Sequence, residues 1–230
     1  VKHLNTRLAV LGTLALGLAT HVSAWDEYAP VSKGKMEVDL MASYNLSPSA
    51  GGFSPSLQVK YGFMEGLDVE LSEALATDPE FGAGQPNLAV KYGHPSGFGG
   101  FVGVDLPVAS EKVSADPATV LYVAAQYLKT FDKVLLSDWL LYSRSLESGA
   151  VGVVDLYVKP QYNVNDKVGP YLGLDFKADE KFDLYTITAK PGINYVINGT
   201  YSAEANVGIA KTKDVDDIAV AAYLGFYGVF

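Results

Sequence analysis

From about residue 35 to the C-terminus the chain alternates apolar and polar residues. Leu57, Val59, Tyr61 and Phe63 alternate with Gln58, Lys60 and Gly62, and Leu67, Val69 and Leu71 with Asp68, Glu70 and Ser72. Val154, Leu156, Val158 and Tyr162 interleave in the same way with Asp155, Tyr157, Lys159 and Gln161. Successive residues of a strand point to opposite faces, so each segment reads as a strand with one apolar and one polar face. The pattern predicts about twelve strands, near 35–45, 55–63, 66–75, 86–93, 99–107, 118–129, 134–144, 151–163, 168–177, 183–196, 200–211 and 217–230. At roughly nine to fourteen residues they exceed the usual soluble strand and suit a tilted crossing of a bilayer.

These strands fall into hairpins. Val59-Lys60-Tyr61-Gly62 recurs as Val90-Lys91-Tyr92-Gly93, and aromatic residues close alternate strands at Tyr61, Tyr92, Tyr127, Tyr162, Tyr195 and Phe230. Short Gly-, Pro-, Asn- or Asp-bearing connections follow the first five, Asn198-Gly199 being the strongest two-residue hairpin signal. The alternate connections are mostly longer, and most carry acidic residues: Asp78 with Glu80, Glu111 with Asp116, Asp179 with Glu180, and Asp214 with Asp216 and Asp217. Short turns at one end, longer loops at the other and an even strand count predict an all-β fold: a single up-and-down antiparallel transmembrane β-barrel over residues 35–230.

The alternation leaves open which face points outward. A soluble barrel turns its apolar set in, and a membrane barrel turns it out to lipid. Three features favour the membrane form: aromatics gathered at the turn ends, many ionisable residues in the polar set, and a final segment, Ile218 to Phe230, without charge and ending on Phe.

Residues 1–24 stand apart. Lys2, His3 and Arg7 precede a twelve-residue apolar stretch from Leu8 to Ala19, and Val22-Ser23-Ala24 offers a signal-peptidase site. The segment is expected to be a secretory signal, with 25–34 a periplasmic N-terminal segment ahead of the barrel. Its removal takes away Lys2 and Arg7, leaving 15 basic against 26 acidic residues, a charge of −11. That balance argues against nucleic acid as a partner. No run of about 18 apolar residues occurs, so no helical span is expected.

The hairpin Tyr61-Gly62-Phe63-Met64-Glu65-Gly66-Leu67-Asp68-Val69-Glu70-Leu71 resembles hairpins of the outer-membrane family called putative meta-pathway of phenol degradation, often labelled "transporter". The C-terminal aromatic strand resembles the signal by which such barrels are recognised for assembly. The resemblance implies an outer-membrane location in a Gram-negative-type bacterium and uptake of small solutes, including hydrophobic or aromatic ones. Lipid, lipopolysaccharide and the barrel assembly machinery are the partners implied.

The candidate functional residues are the charges of the polar set, expected to line the lumen: Lys60, Asp68, Glu70, Lys91, Asp105, Asp155, Lys159, Asp175, Lys190 and Glu204. Lys60, Lys91, Lys159 and Lys190 lie close to turn-end aromatics and suggest a basic belt near the periplasmic mouth, with the carboxylates opposing it. The bland reading is that these charges pair and fill the interior. Tyr122, Tyr142, Tyr157, Tyr171 and Tyr223 are expected in the lumen, and Trp139 on the lipid face with Leu135 and Leu141. No cofactor is expected and no enzyme. After the signal the chain holds a single histidine, His94, in a turn, and it has no Cys, no G-x-S-x-G and no phosphate loop. The expectation is a passive channel for small solutes; the alternative is a closed structural barrel whose acidic loops contact the envelope or partners.

Overall fold

In the computed structural model, residues 30–48, 51–76, 82–110 and 117–230 are described. The expected signal segment lies outside them, as do Asp78, Glu80, Glu111 and Asp116 of the acidic loops. The chain forms β1 (Met36–Ser47), β2 (Gly51–Met64), β3 (Leu67–Ala76), the two-residue β4 (Gly82–Ala83), β5 (Asn87–Gly93), β6 (Phe98–Asp105) and β7 (Val120–Phe131). It continues with β8 (Val134–Ser145), β9 (Val153–Tyr162), β10 (Val168–Asp179), β11 (Tyr185–Val196), β12 (Tyr201–Thr212) and β13 (Ile218–Val229). β4 pairs only with the end of β3; the other twelve strands close a ring, each antiparallel to its sequence neighbours, with β13 returning to β1. Closure removes every open sheet edge, the condition for a sheet in a bilayer.

The expected strands and connections are these ones, with shifts at the ends. The largest is β2, which begins at Gly51 although the Ser/Pro/Gly run 46–54 reads as a loop. Pairing with β1 continues past Pro55 through a register shift at Tyr44/Asn45, with Gly52 at φ 72° absorbing the irregularity. At the opposite end the turns are short. Asp132 (φ 53°) and Gly66 (φ 72°) supply the left-handed residues that tight hairpins need.

The surface is inverted relative to a water-soluble protein. Leu40, Leu71, Val102, Val123, Leu140, Leu174, Ile187 and Leu224 are exposed on eight of the twelve ring strands. Lys60, Lys91, Lys159, Gln58, Asp39 and Asp68 are fully buried. An apolar band encircling the molecule, with charge inside, is stable against lipid and not against water. Tyr61, Tyr92, Phe98, Phe131, Tyr162, Tyr195 and Phe230 rim the band at the short-turn end. Phe98 packs at a tilt against Tyr127 (4.8 Å between ring centroids) and Tyr201 stacks near Phe226 (5.6 Å). A second aromatic group, Phe176 with Phe182 and Tyr185, stands at the long-loop end, completing the two interfacial girdles of a membrane barrel.

Two sequence expectations are overturned. Trp139 and Leu141 face inward, Trp139 only 6% exposed and stacked on Tyr157 at 4.4 Å, while Val134 and Leu140 take the outer face. β8 is apolar on both faces (Val134-Leu135-Leu136, Leu140-Leu141), so alternation alone did not select its outward set. The buried Ser137, in phase with Trp139, marks which parity points in. Tyr142 shares the outer parity with Leu140; it is exposed, and its hydroxyl lies 3.1 Å from the Glu180 carboxylate at the long-loop end.

Candidate functional site

The interior is built by the polar parity of each strand. Every charge singled out in the sequence lies on it: Lys60 on β2, Asp68 and Glu70 on β3, Lys91 on β5, Asp105 on β6, Asp155 and Lys159 on β9, Asp175 on β10, Lys190 on β11 and Glu204 on β12. Glu37, Asp39 and Lys177 share it. The strand registers stack these residues at two levels.

The level nearer the short turns is tightly packed. Lys60, Lys91 and Lys159 are each 1% exposed. Lys60 Nζ lies 2.6 Å from Glu37 Oε1 and 2.6 Å from Asp39 Oδ2. Lys91 Nζ is 3.8 Å from Glu70 Oε1, whose other oxygen accepts a bond from Gln58 Nε2 at 3.3 Å. Lys159 Nζ sits 3.6 Å from Glu204 Oε2 and 4.4 Å above the Tyr171 ring. The Tyr171 hydroxyl donates to Glu204 and accepts from Asn206 Nδ2 at 3.0 Å. The basic belt expected from the lysine spacing is therefore not a belt, because a carboxylate stands beside each lysine, from an adjoining strand for Lys60 and Lys91 and from the non-adjacent β12 for Lys159. The physical reason is desolvation: an ammonium this deeply enclosed is tolerated only with an anionic partner.

Toward the long loops the interior is wetter. Lys190 Nζ lies 3.0 Å from Asp175 Oδ2 and 5.0 Å over the Tyr157 ring, with the Lys190 side chain 28% exposed. Lys177 pairs with Asp155 at 3.2 Å. Asn87 Nδ2 donates to Asp105 Oδ1 at 2.7 Å and to the Tyr122 hydroxyl at 2.6 Å.

The wall is also divided around its circumference. Ala89, Phe101, Tyr122, Ala124, Trp139, Leu141 and Tyr157 form one inward-facing apolar and aromatic cluster across β5 to β9. Much of the charge lies on the remaining arc. Sequence reasoning placed Tyr122 and Tyr157 inside but missed Phe101 and the Trp139 stack. Gly103 was a usable signal: it pairs directly with Tyr122, whose ring occupies the space where a Cβ would stand. Tyr171 lies across its partner Gly192 in the same way, so inward Tyr residues and cross-strand glycines identify each other.

Over the described strands the inner face carries five lysines (Lys60, Lys91, Lys159, Lys177, Lys190) against eight carboxylates (Glu37, Asp39, Asp68, Glu70, Asp105, Asp155, Asp175, Glu204). This leaves a formal charge of −3, not counting Asp179, whose Oδ1 is taken by the backbone of Lys181 and Asp183 at the long-loop end. Among the described residues no group of His, Cys, Asp and Glu is arranged to hold a metal ion.

A closed twelve-stranded antiparallel barrel with an apolar belt, two aromatic girdles and a charged interior defines the class: the fold is that of porin-like outer-membrane β-barrels. Among solved structures, the COG4313 outer membrane channel from Pseudomonas putida F1 superposes with a TM-score of 0.66 over 91% of this chain and 100% of that one, at 12% identity. The NanC porin gives 0.62 at 9% identity, over 83% of this chain and 98% of that one. The KdgM porin gives 0.59 at 14% identity, over 84% and 99%. At such identities the likeness is one of fold. No protein-family model and no curated protein sequence matches the chain.

Proposed function

We propose that this barrel is a passive outer-membrane channel for small solutes, with its short turns in the periplasm and its long loops outside the cell. The observation that carries the reading is the inner face, which is polar and charged at both levels between the long loops and the short turns. A channel works without turnover chemistry, through fixed charges and pore width. The excess of carboxylates favours cationic and neutral solutes over anions, and the packed aromatic arc from Phe101 to Tyr157 gives the interior one apolar side, which suits an aromatic or otherwise apolar solute better than a fully charged wall would. The family resemblance of the hairpin 61–71 to phenol-pathway transporters points to the same solute class. Outer-membrane lipid and lipopolysaccharide, and the assembly machinery that reads the C-terminal strand, are the partners this function requires.

The test is conductance of the purified, refolded protein in a planar bilayer, with swelling of liposomes in neutral sugars, phenolic solutes and organic anions. Ion flow with a cation preference, and faster swelling in neutral aromatic solutes than in anions of equal size, is expected. A folded barrel that passes neither ions nor solutes refutes the reading. One observation favours a second function, a closed structural barrel with acidic loops contacting the envelope: the complete burial of Lys60, Lys91 and Lys159 in the periplasmic half. The same silent bilayer would select it.

A further inference from the structure

We propose that Asp105 and Asn87, opposite each other on β6 and β5, form a cation-recognition site in the long-loop half of the lumen, and that its ligand is a solute carrying a primary ammonium group. The proposal deepens the channel reading and rests on it.

Asp105 differs from the other carboxylates of the wetter level. Asp155 and Asp175 stand beside Lys177 at 3.2 Å and Lys190 at 3.0 Å. Among the described residues no lysine or arginine lies within ion-pair distance of Asp105, whose partner is an amide, Asn87 Nδ2 at 2.7 Å. The register explains why. Asn87 pairs across with Asp105, and the inward lysine of β5, Lys91, stands four residues further along, opposite Phe101. At about 3.3 Å per residue that is roughly 13 Å away, and Lys91 is engaged with Glu70. The inward residues that β3 and β7 bring to this level, Ser72 opposite Asn87 and Tyr122 opposite Gly103, carry no cation. Part of the negative excess of the inner face is therefore localised on one half-buried carboxylate.

The site offers acceptors and no spare donor. Asn87 is 4% exposed, and both hydrogens of its amide are engaged, one with Asp105 Oδ1 and one with the Tyr122 hydroxyl at 2.6 Å. That hydroxyl in turn donates to Leu88 O at 3.3 Å. Asn87 Oδ1 is enclosed without a hydrogen-bond partner, a costly state for a carbonyl oxygen. A negative charge beside an orphaned carbonyl oxygen disfavours carboxylates and phosphates and suits a cation with several N–H groups. A primary ammonium brings three donors and the missing charge, whereas an alcohol or phenol brings one donor and leaves the carboxylate uncompensated. The two strand ends are also tied together from the loop side. Gln85 Nε2 donates to Leu106 O at 3.0 Å and to Ala118 O at 2.6 Å, and Leu106 N–H donates to Pro86 O at 2.8 Å. Asn87 and Asp105 are thus held in place before a ligand arrives.

The experiment measures block of the potassium current through the full-length barrel by n-butylammonium and by tetramethylammonium, a cation of equal charge with no N–H. The parent should bind butylammonium saturably and about ten-fold more tightly than tetramethylammonium, the effect of one charge-assisted hydrogen bond. Asp105→Asn keeps the side-chain shape and an acceptor for Asn87, and should bring the two affinities together. Asp105→Ser serves where that variant does not fold, with heat-modifiable gel mobility verifying the barrel. Asp175→Asn removes the same charge from the lumen beside Lys190 and should shift both blockers alike, leaving their ratio intact. A conducting parent that does not distinguish the two cations, or an Asp105→Asn protein that keeps the parent's ratio, overturns the proposal and leaves the channel reading standing. A parent that carries no current removes the channel reading. Equilibrium dialysis of labelled butylammonium against the barrel in detergent then decides the site: saturable binding lost in Asp105→Asn upholds it, and no binding overturns it.

Discussion

Lys60→Met isolates what the packed level of the barrel depends on. Lys60 is fully enclosed, with Glu37 Oε1 and Asp39 Oδ2 each 2.6 Å from its ammonium and Asp39 itself completely buried. Methionine keeps most of the side-chain volume, so the change is chiefly one of charge. It leaves two carboxylates with their principal cation gone, and breaking a buried pair from one side costs about 3–5 kcal/mol. With a urea slope of about 2–3 kcal/mol/M, the upper part of the usual range, that is a fall of about 1–2.5 M in the unfolding midpoint. The assay is equilibrium unfolding and refolding in lipid vesicles, followed by tryptophan emission and by heat-modifiable mobility. Adding Glu37→Gln and Asp39→Asn should recover most of the loss, because neutral amides in the same space carry no uncompensated charge. A Lys60→Met protein as stable as the parent, or a triple variant no better than the single one, would refute the claim that this level is held by charge pairing.

Reversal potentials in a salt gradient should show a cation preference, and Lys190→Glu, in the wetter part of the lumen, should increase it; unchanged selectivity would mean that Lys190 does not face the ion path. In a Trp25→Phe background, brominated lipid should leave Trp139 emission nearly unquenched, because the indole faces inward against Tyr157; strong quenching would return it to the lipid face. Gly103→Val should destabilise the barrel by about 1–3 kcal/mol by overpacking against the Tyr122 ring, and Tyr122→Ala should relieve most of that added cost, as a double-mutant cycle in vesicles would read.

Alternation with a period of two was enough to determine an all-β chain of twelve strands. The turn-end aromatics and charged polar faces were enough to turn that set into a membrane barrel, because lipid and lumen impose opposite demands on the two faces of every strand. For the same reason the parity of Lys60, Asp68, Lys159 and Glu204 was legible: each sits in a strand where only one face is apolar. β8 was not legible, since Leu and Val occupy both its faces, and only closure of the sheet, which carries parity from one strand to the next, settled that Trp139 points in. The ion pairs were likewise beyond the sequence. Lys159 and Glu204 are distant in the chain and on non-adjacent strands, and their approach depends on barrel curvature and stagger, which no local pattern encodes. Residues 30–35, a plain stretch of Pro, Val, Ser, Lys and Gly, acquire their place only because Gly62 and Gly93, on strands that curvature brings to the same mouth, leave room for them.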